Sequence, residues 1–199
     1  LKRFLAGILT LFVAGCVGGK METAPSSRQL PPAPAPDYAV GDEFLFSVDP
    51  IEDLHKAVSV DAKSVTFESR IFGTITQPKA FSNPVTWTGG GFAASYQMWL
   101  DRDLSGLFPL EVGKAVSSRG TGNFGGNQLA VTFDCRVPRQ ESITVRAGTF
   151  DTFVVECQMS HDRGGFRTVY WYSPDVGHFV GADRGGRFHE LVRFTRMPR

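Results

Sequence analysis

SITVRAGTFDTFVVECQMSHDRGGFRTVYWYSPDVGHF, residues 142–179, decides the fold. It holds three runs of alternating or continuous apolar residues, each long enough for a strand, separated by the turn-forming clusters AGTFD, DRGG and SPDVG. Glycine supplies the positive backbone dihedrals that tight reversals need, so runs of this length on either side of such clusters predict antiparallel hairpins. Outward from this meander the same grammar continues. HFVGA ends in a second DRGG at 183–186, and RFHELVRF at 187–194 is the closing strand. Upstream, Gln128 to Val137 places Val131, Phe133, Cys135 and Val137 on one face, and Lys114 to Gly120 precedes it as a further strand.

Nearer the amino terminus, YAVGDEFLFSV at 38–48 turns at Gly41 and Asp42 and then alternates through Phe44, Phe46 and Val48. HKAVSVDAKSVTFESRIF at 55–72 reads as a hairpin reversing at Asp61 to Ser64. Residues 93–114 are ambiguous between a strand and one or two helical turns, because Tyr96, Trp99, Leu100 and Leu104 share one helical face. The expectation is an all-β domain, mainly an antiparallel meander forming an open curved sheet or half-barrel, with one short helix; a β-sandwich is the alternative.

The first residues are of another kind. Lys2 and Arg3 precede the apolar run Phe4 to Val13, and VAGC at 13–16 closes it. The run is too short for a bilayer of ~30 Å, which needs about 20 helical residues, and its flanks are those of a cleaved secretory signal. Val13, Ala14, Gly15 and Cys16 resemble a bacterial lipobox, in which cleavage falls before the cysteine and acyl chains are added to it. Two or more acyl chains hold a protein to a membrane durably where one does not. Residues 1–15 are thus read as a signal peptide and Cys16 as a lipid anchor. Val17 and Gly18 favour the outer membrane, with the domain facing the periplasm. Residues 16–37 hold five prolines and almost no large apolar groups, the composition of an extended, unfolded tether. Residues 38–199 are then the single folded domain.

Composition limits the function classes. Without Lys2 and Arg3 the chain carries 19 basic residues against 20 acidic ones, which argues against nucleic-acid binding. Removing Cys16 leaves Cys135 and Cys157, both in phase with apolar neighbours, and in an oxidising periplasm a cross-strand disulfide is the leading expectation, with two buried thiols as the alternative. No CxxC is present and the four histidines show no ligand spacing, so no metal and no cofactor are expected. Asp134, Asp151, Asp175, His178 and Glu190 include no recognisable catalytic motif, and the chain is not expected to be an enzyme. The candidate binding faces are aromatic (Trp99, Tyr170, Trp171, Tyr172) and basic (Arg187, Arg193, Arg196).

VRAGTFDTFVVEC followed by VYWYSPDVGHFV, with LFPLEVGK upstream and YAVGDEF at the opening, resembles an uncharacterised group of bacterial exported proteins and lipoproteins, a domain of unknown function marked by VxVPAGxFDT and WYxPxVG segments. The chain departs from that pattern at Arg146, where proline is usual. The resemblance implies an all-β periplasmic domain and brings no activity and no catalytic residues. Three functions follow as expectations. The first is a membrane-anchored interaction or assembly module that meets an envelope protein, peptidoglycan or lipid. The second is a carrier of lipid or another apolar ligand, and the third an uncharacterised enzyme.

Overall fold

The computed structural model describes residues 21–48, 50–79, 86–88, 96–102, 104–124 and 126–199. The signal peptide, lipobox and Cys16 lie outside these. The strands are β1 (Glu22–Pro25), β2 (Glu43–Val48), β3 (Ile51–Val60), β4 (Ser64–Ser69), β5 (Gly73–Pro78), β6 (Thr86–Thr88), β7 (Tyr96–Leu100), β8 (Ala115–Phe124), β9 (Asn127–Val145), β10 (Gly148–His161), β11 (Gly164–Ser173), β12 (His178–Arg184) and β13 (Arg187–Thr195). One sheet in the order β1-β9-β10-β11-β12-β13-β2-β3-β4-β5-β6-β7-β8 contains them all, every pair antiparallel. The all-β curved meander is therefore as the sequence predicts. β8 also pairs with β9, Ala115↔Arg136 through Phe124↔Asn127, so the sheet curves until the two ends of its strand order lie side by side. Residues 93–114 contain both expected forms, β7 and a 3-10 turn at Leu104–Leu107.

Curvature gives the sheet a concave face on which its apolar residues meet. Phe44, Phe46, Phe67, Phe133, Phe153, Tyr170 and Tyr172 are all buried there in one cluster with Leu104, Leu107 and Leu110. Phe46 stacks on Phe179 with ring centroids 4.7 Å apart. Cys157 lies directly opposite Cys135, with Cα atoms 4.1 Å apart, and the two form a disulfide inside this core.

A second apolar layer forms on the convex side. The turn between β9 and β10 folds back over β13, where the Ala147 amide donates to the Leu191 carbonyl at 2.9 Å and Arg146 pairs with Glu190 at 2.8 Å. Trp171 packs edge-on to Phe188 in this layer. The closeness of the layers explains Gly181, since a Cβ there would lie 2.9 Å from Ile143 Cδ1 and 3.3 Å from Phe188 Cζ.

Residues 21–37 correct the expectation of a free tether. β1 adds to the edge of β9, Leu30 and Ala33 are buried, and Ala33 exchanges backbone hydrogen bonds with Leu110. Asp151 accepts from Ser26 Oγ, Ser27 N, Ser27 Oγ and Ser142 Oγ, and Arg28 reaches both Asp151 and Asp175. Composition misses this strap because it is held by hydrogen bonds to distant strands, while its own sequence offers only Leu30, Ala33 and Pro36 as buried anchors. Asp151 loses some favour for its charge through burial, yet these donors outweigh that and hold its carboxyl far below the usual range.

The disulfide closes a loop with a sequence separation of 22, for which chain entropy gives a stabilisation of about 3 kcal/mol. Replacing both Cys135 and Cys157 by alanine is expected to lower the free energy of unfolding by about this amount in urea titrations. An unchanged midpoint would show that the bond does not restrain the unfolded chain.

Candidate functional site

Two constellations stand out, one on each face of the sheet. The first arises from a bulge. Val154 pairs with Arg139 and Glu156 with Arg136, so β9 carries two residues, Val137 and Pro138, opposite Val155 alone. Residues three apart in a regular strand point to opposite faces; the extra residue puts Arg136 and Arg139 on the same one. Both reach Glu156, at 2.8 and 3.5 Å, and Arg167 joins from β11 at 2.9 Å. The Glu156 carboxylate is nearly covered, while the three arginine side chains remain about half exposed or more. Burial works against the Glu156 charge, but the arginines outweigh it and hold its pKa below the ordinary glutamate value. Arg136, Glu156 and Arg167 border a groove of about 620 Å³ across β8 to β11, lined also by Ser117, Asp134 and Gln158, while Arg139 stands outside it and pairs with Glu141 at 2.7 Å. The Arg136 and Arg167 guanidinium groups are more than half exposed and keep donors that Glu156 does not engage, so the groove can receive further carboxylate or phosphate oxygens.

The second constellation is inside. Asp53 is buried and accepts from Ser69 Oγ, the Arg70 and Ile71 amides at 2.9 and 3.1 Å, and His55 Nε2 at 2.8 Å. Burial raises its pKa, and the bond and charge from His55 together with the other donors reverse this to a net lowering. His178 shares a hydrogen bond with Tyr38 at 2.9 Å among Phe44, Phe46 and Phe67. Burial, then the charges of His55 and Arg196, push its pKa well below the usual histidine value. His189 on β13 is pushed down to about 3, by burial first and by Arg184 next. Phe46, His55, Phe72, Gln77, Phe179, Arg184 and His189 border a small interior cavity of about 30 Å³.

The sequence-derived candidates fall apart as a single face. Tyr170, Trp171 and Tyr172 are all buried. Tyr170 and Tyr172 belong to the concave core, whereas Trp171 lies under the β9–β10 turn and donates from Nε1 to Glu141 at 2.6 Å. From Thr168 to Ser173 both faces of β11 are covered, which alternation alone does not reveal. Arg196 is no free cation, since it pairs with buried Asp42 at 3.3 Å and donates to the Val176 carbonyl at 2.7 Å. Arg199 pairs with the same carboxylate at 2.8 Å. Burial raises the Asp42 pKa, yet Arg199, the Ala39 and Met197 amides and Arg196 together lower it on balance. Trp99 stands 48% exposed on β7, and Arg187 and Arg193 are exposed on β13, many strands away. Of the titratable candidates, only Asp151 and Asp175 come together, both on Arg28. Among the described residues no group of three or more His, Cys, Asp or Glu side chains could hold a metal ion. The arginine groove went unread in the sequence; Pro138 inside a strand-like run is the signal that marks its bulge.

Residues 115–181, from β8 to the middle of β12, match a family model described as DUF3108-like. The matched region carries the disulfide, the bulge and the arginine groove. Among solved structures, the chain resembles the hypothetical lipoprotein YmcC from Escherichia coli (K12), with a TM-score of 0.55 at 8% identity, covering 86% of this chain and 92% of that one. An exported protein with a YmcC-like fold from Bacteroides fragilis gives a TM-score of 0.43 at 10% identity, covering 82% of this chain and all of the other. No curated protein matches the sequence. At this identity the likeness to YmcC is one of fold alone.

The buried histidines set an acid response. His178 and His189 are neutral in the fold but bind protons in the unfolded chain below about pH 6.5, so stability falls as pH drops through that value and continues falling toward the depressed folded pKa. Replacing His189 by glutamine is expected to make the loss between pH 6 and pH 4 shallower by about 1.4 kcal/mol per pH unit, read from urea midpoints. An unchanged slope would mean that the ring is not held neutral.

Proposed function

We propose that this chain is a lipid-anchored protein of the bacterial cell envelope, held by acyl chains on Cys16 in the outer membrane with its domain in the periplasm. It acts as an interaction module whose docking face is the arginine groove across β8 to β11. The observation that carries this reading is the contrast between the two faces of the sheet. Among the described residues the concave side is packed with aromatic rings around a cavity of about 30 Å³, itself too small for an acyl chain, whereas the convex side bears an open groove of about 620 Å³. That contrast favours the docking module over the lipid carrier. The partner's chemistry follows from the guanidinium donors: it offers carboxylates or phosphates, as acidic protein segments, peptidoglycan peptides and anionic lipids do.

The strap adds a constraint on placement. Because residues 21–37 lie along the domain, only the stretch from Cys16 to Met21 is left as leash, at most about 18 Å when fully extended. The domain is then held against the bilayer surface rather than lifted tens of ångströms into the periplasm.

Metabolic labelling with an alkyne fatty acid is expected to mark the wild-type chain and not Cys16→Ala. A photo-crosslinking residue at Ser117, in the groove, is expected to give a discrete adduct in cells that is lost when Arg136 and Arg167 are both changed to glutamate. Equal adducts with and without that charge reversal would sink the groove as the docking face, and label retained by Cys16→Ala would sink the anchor.

A further inference from the structure

The interior cavity is lined by more hydrogen-bond donors than the protein satisfies. Arg184 and Thr168 are directly paired across β11 and β12, so their side chains share the concave face. The Arg184 Nε and the Thr168 hydroxyl are both buried without a partner among the described residues. The Arg184 guanidinium lies 5.9 Å from the Tyr170 ring centroid, and among the described residues no carboxylate forms an ion pair with it. Gln77 and His189 border the same cavity, and each can turn an N–H toward it. Asp53, the carboxylate of this cluster, is engaged by Ser69, two backbone amides and His55.

A buried N–H with no acceptor is costly, and folded proteins supply the missing acceptor from protein, water or a bound ion. The guest must be compact, because the cavity measures about 30 Å³, and it accepts hydrogen bonds beside a half-buried guanidinium that forms no ion pair among the described residues, which favours an anion. We infer that this cavity is an anion site of the halide class, in which Arg184 supplies the counter-charge and Gln77 and His189 supply further donors. The site ties β5, β12 and β13 together from within, and it goes beyond the docking function proposed above without depending on it.

The test uses the full chain in detergent, with chloride and bromide as probes. Thermal unfolding is expected to shift upward by about 4 °C for each tenfold rise in chloride above its dissociation constant, relative to a bulky anion such as gluconate at the same ionic strength. Arg184→Gln is expected to abolish that dependence. Crystals of the full chain grown in bromide should show an anomalous peak within hydrogen-bonding distance of Arg184 Nε. A midpoint indifferent to chloride in the wild-type chain, or ordered water with no anomalous signal at that position, overturns the inference. If Arg184→Gln does not fold, the wild-type titration and the bromide peak still decide it.

Discussion

The structure depends on one local irregularity, the extra residue at Val137 and Pro138. A strand as long as β9, from Asn127 to Val145, cannot serve two packing layers if it stays regular and straight. The bulge lets its first half pair with β8 in the curved sheet while its second half, with β1 on its edge, continues into the turn that covers β13. Proline suits this position because a bulge leaves a residue outside the hydrogen-bond ladder, where a missing N–H costs little. The same irregularity rotates Arg139 onto the face of Arg136. Fold and groove therefore share a cause: the bend that makes the second layer also gathers the arginines on Glu156.

The ends of the chain are held by electrostatics where apolar burial is thin. The amino-terminal strap converges on Asp151 through serine hydroxyls and Arg28, while the carboxy-terminal Arg196 and Arg199 converge on Asp42. A covered carboxylate demands donors from every side, so it can organise a segment with few apolar residues of its own. This is how a proline-rich sequence with Leu30, Ala33 and Pro36 as its buried anchors becomes part of the domain.

What was legible in the sequence is what short-range chemistry controls. Alternation in Phe44, Phe46 and Val131, Phe133, Cys135 identifies faces, the two DRGG clusters mark reversals with positive backbone dihedrals at Gly164, Gly185 and Gly186, and the in-phase cysteines foretell their bond. What was not legible depends on segments far apart in the chain. The Tyr170–Trp171–Tyr172 triplet reads as two-sided, but only the return of the β9–β10 turn over β13 buries its second side. Arg196 reads as a surface charge because its partner, Asp42, lies at the other end of the sequence. Asp53 and His178, polar residues within otherwise apolar surroundings, give no sequence signal that separates them from exposed ones.

The division of polar groups between the two faces bears on mechanism. A core made only of phenylalanine and leucine would stabilise this sheet without His55, His189, Gln77 or Arg184, and each of these lowers the apolar burial available at its position. Their placement on β3, β5, β12 and β13 brings polar groups from both sides of β2 around one cavity, so polar geometry as well as ring packing enters the core there. The groove on β8 to β11 lies on strands whose concave side is closed by the disulfide and by Phe133 and Met159. A rigid floor of this kind fixes the spacing of Arg136 and Arg167 across the groove.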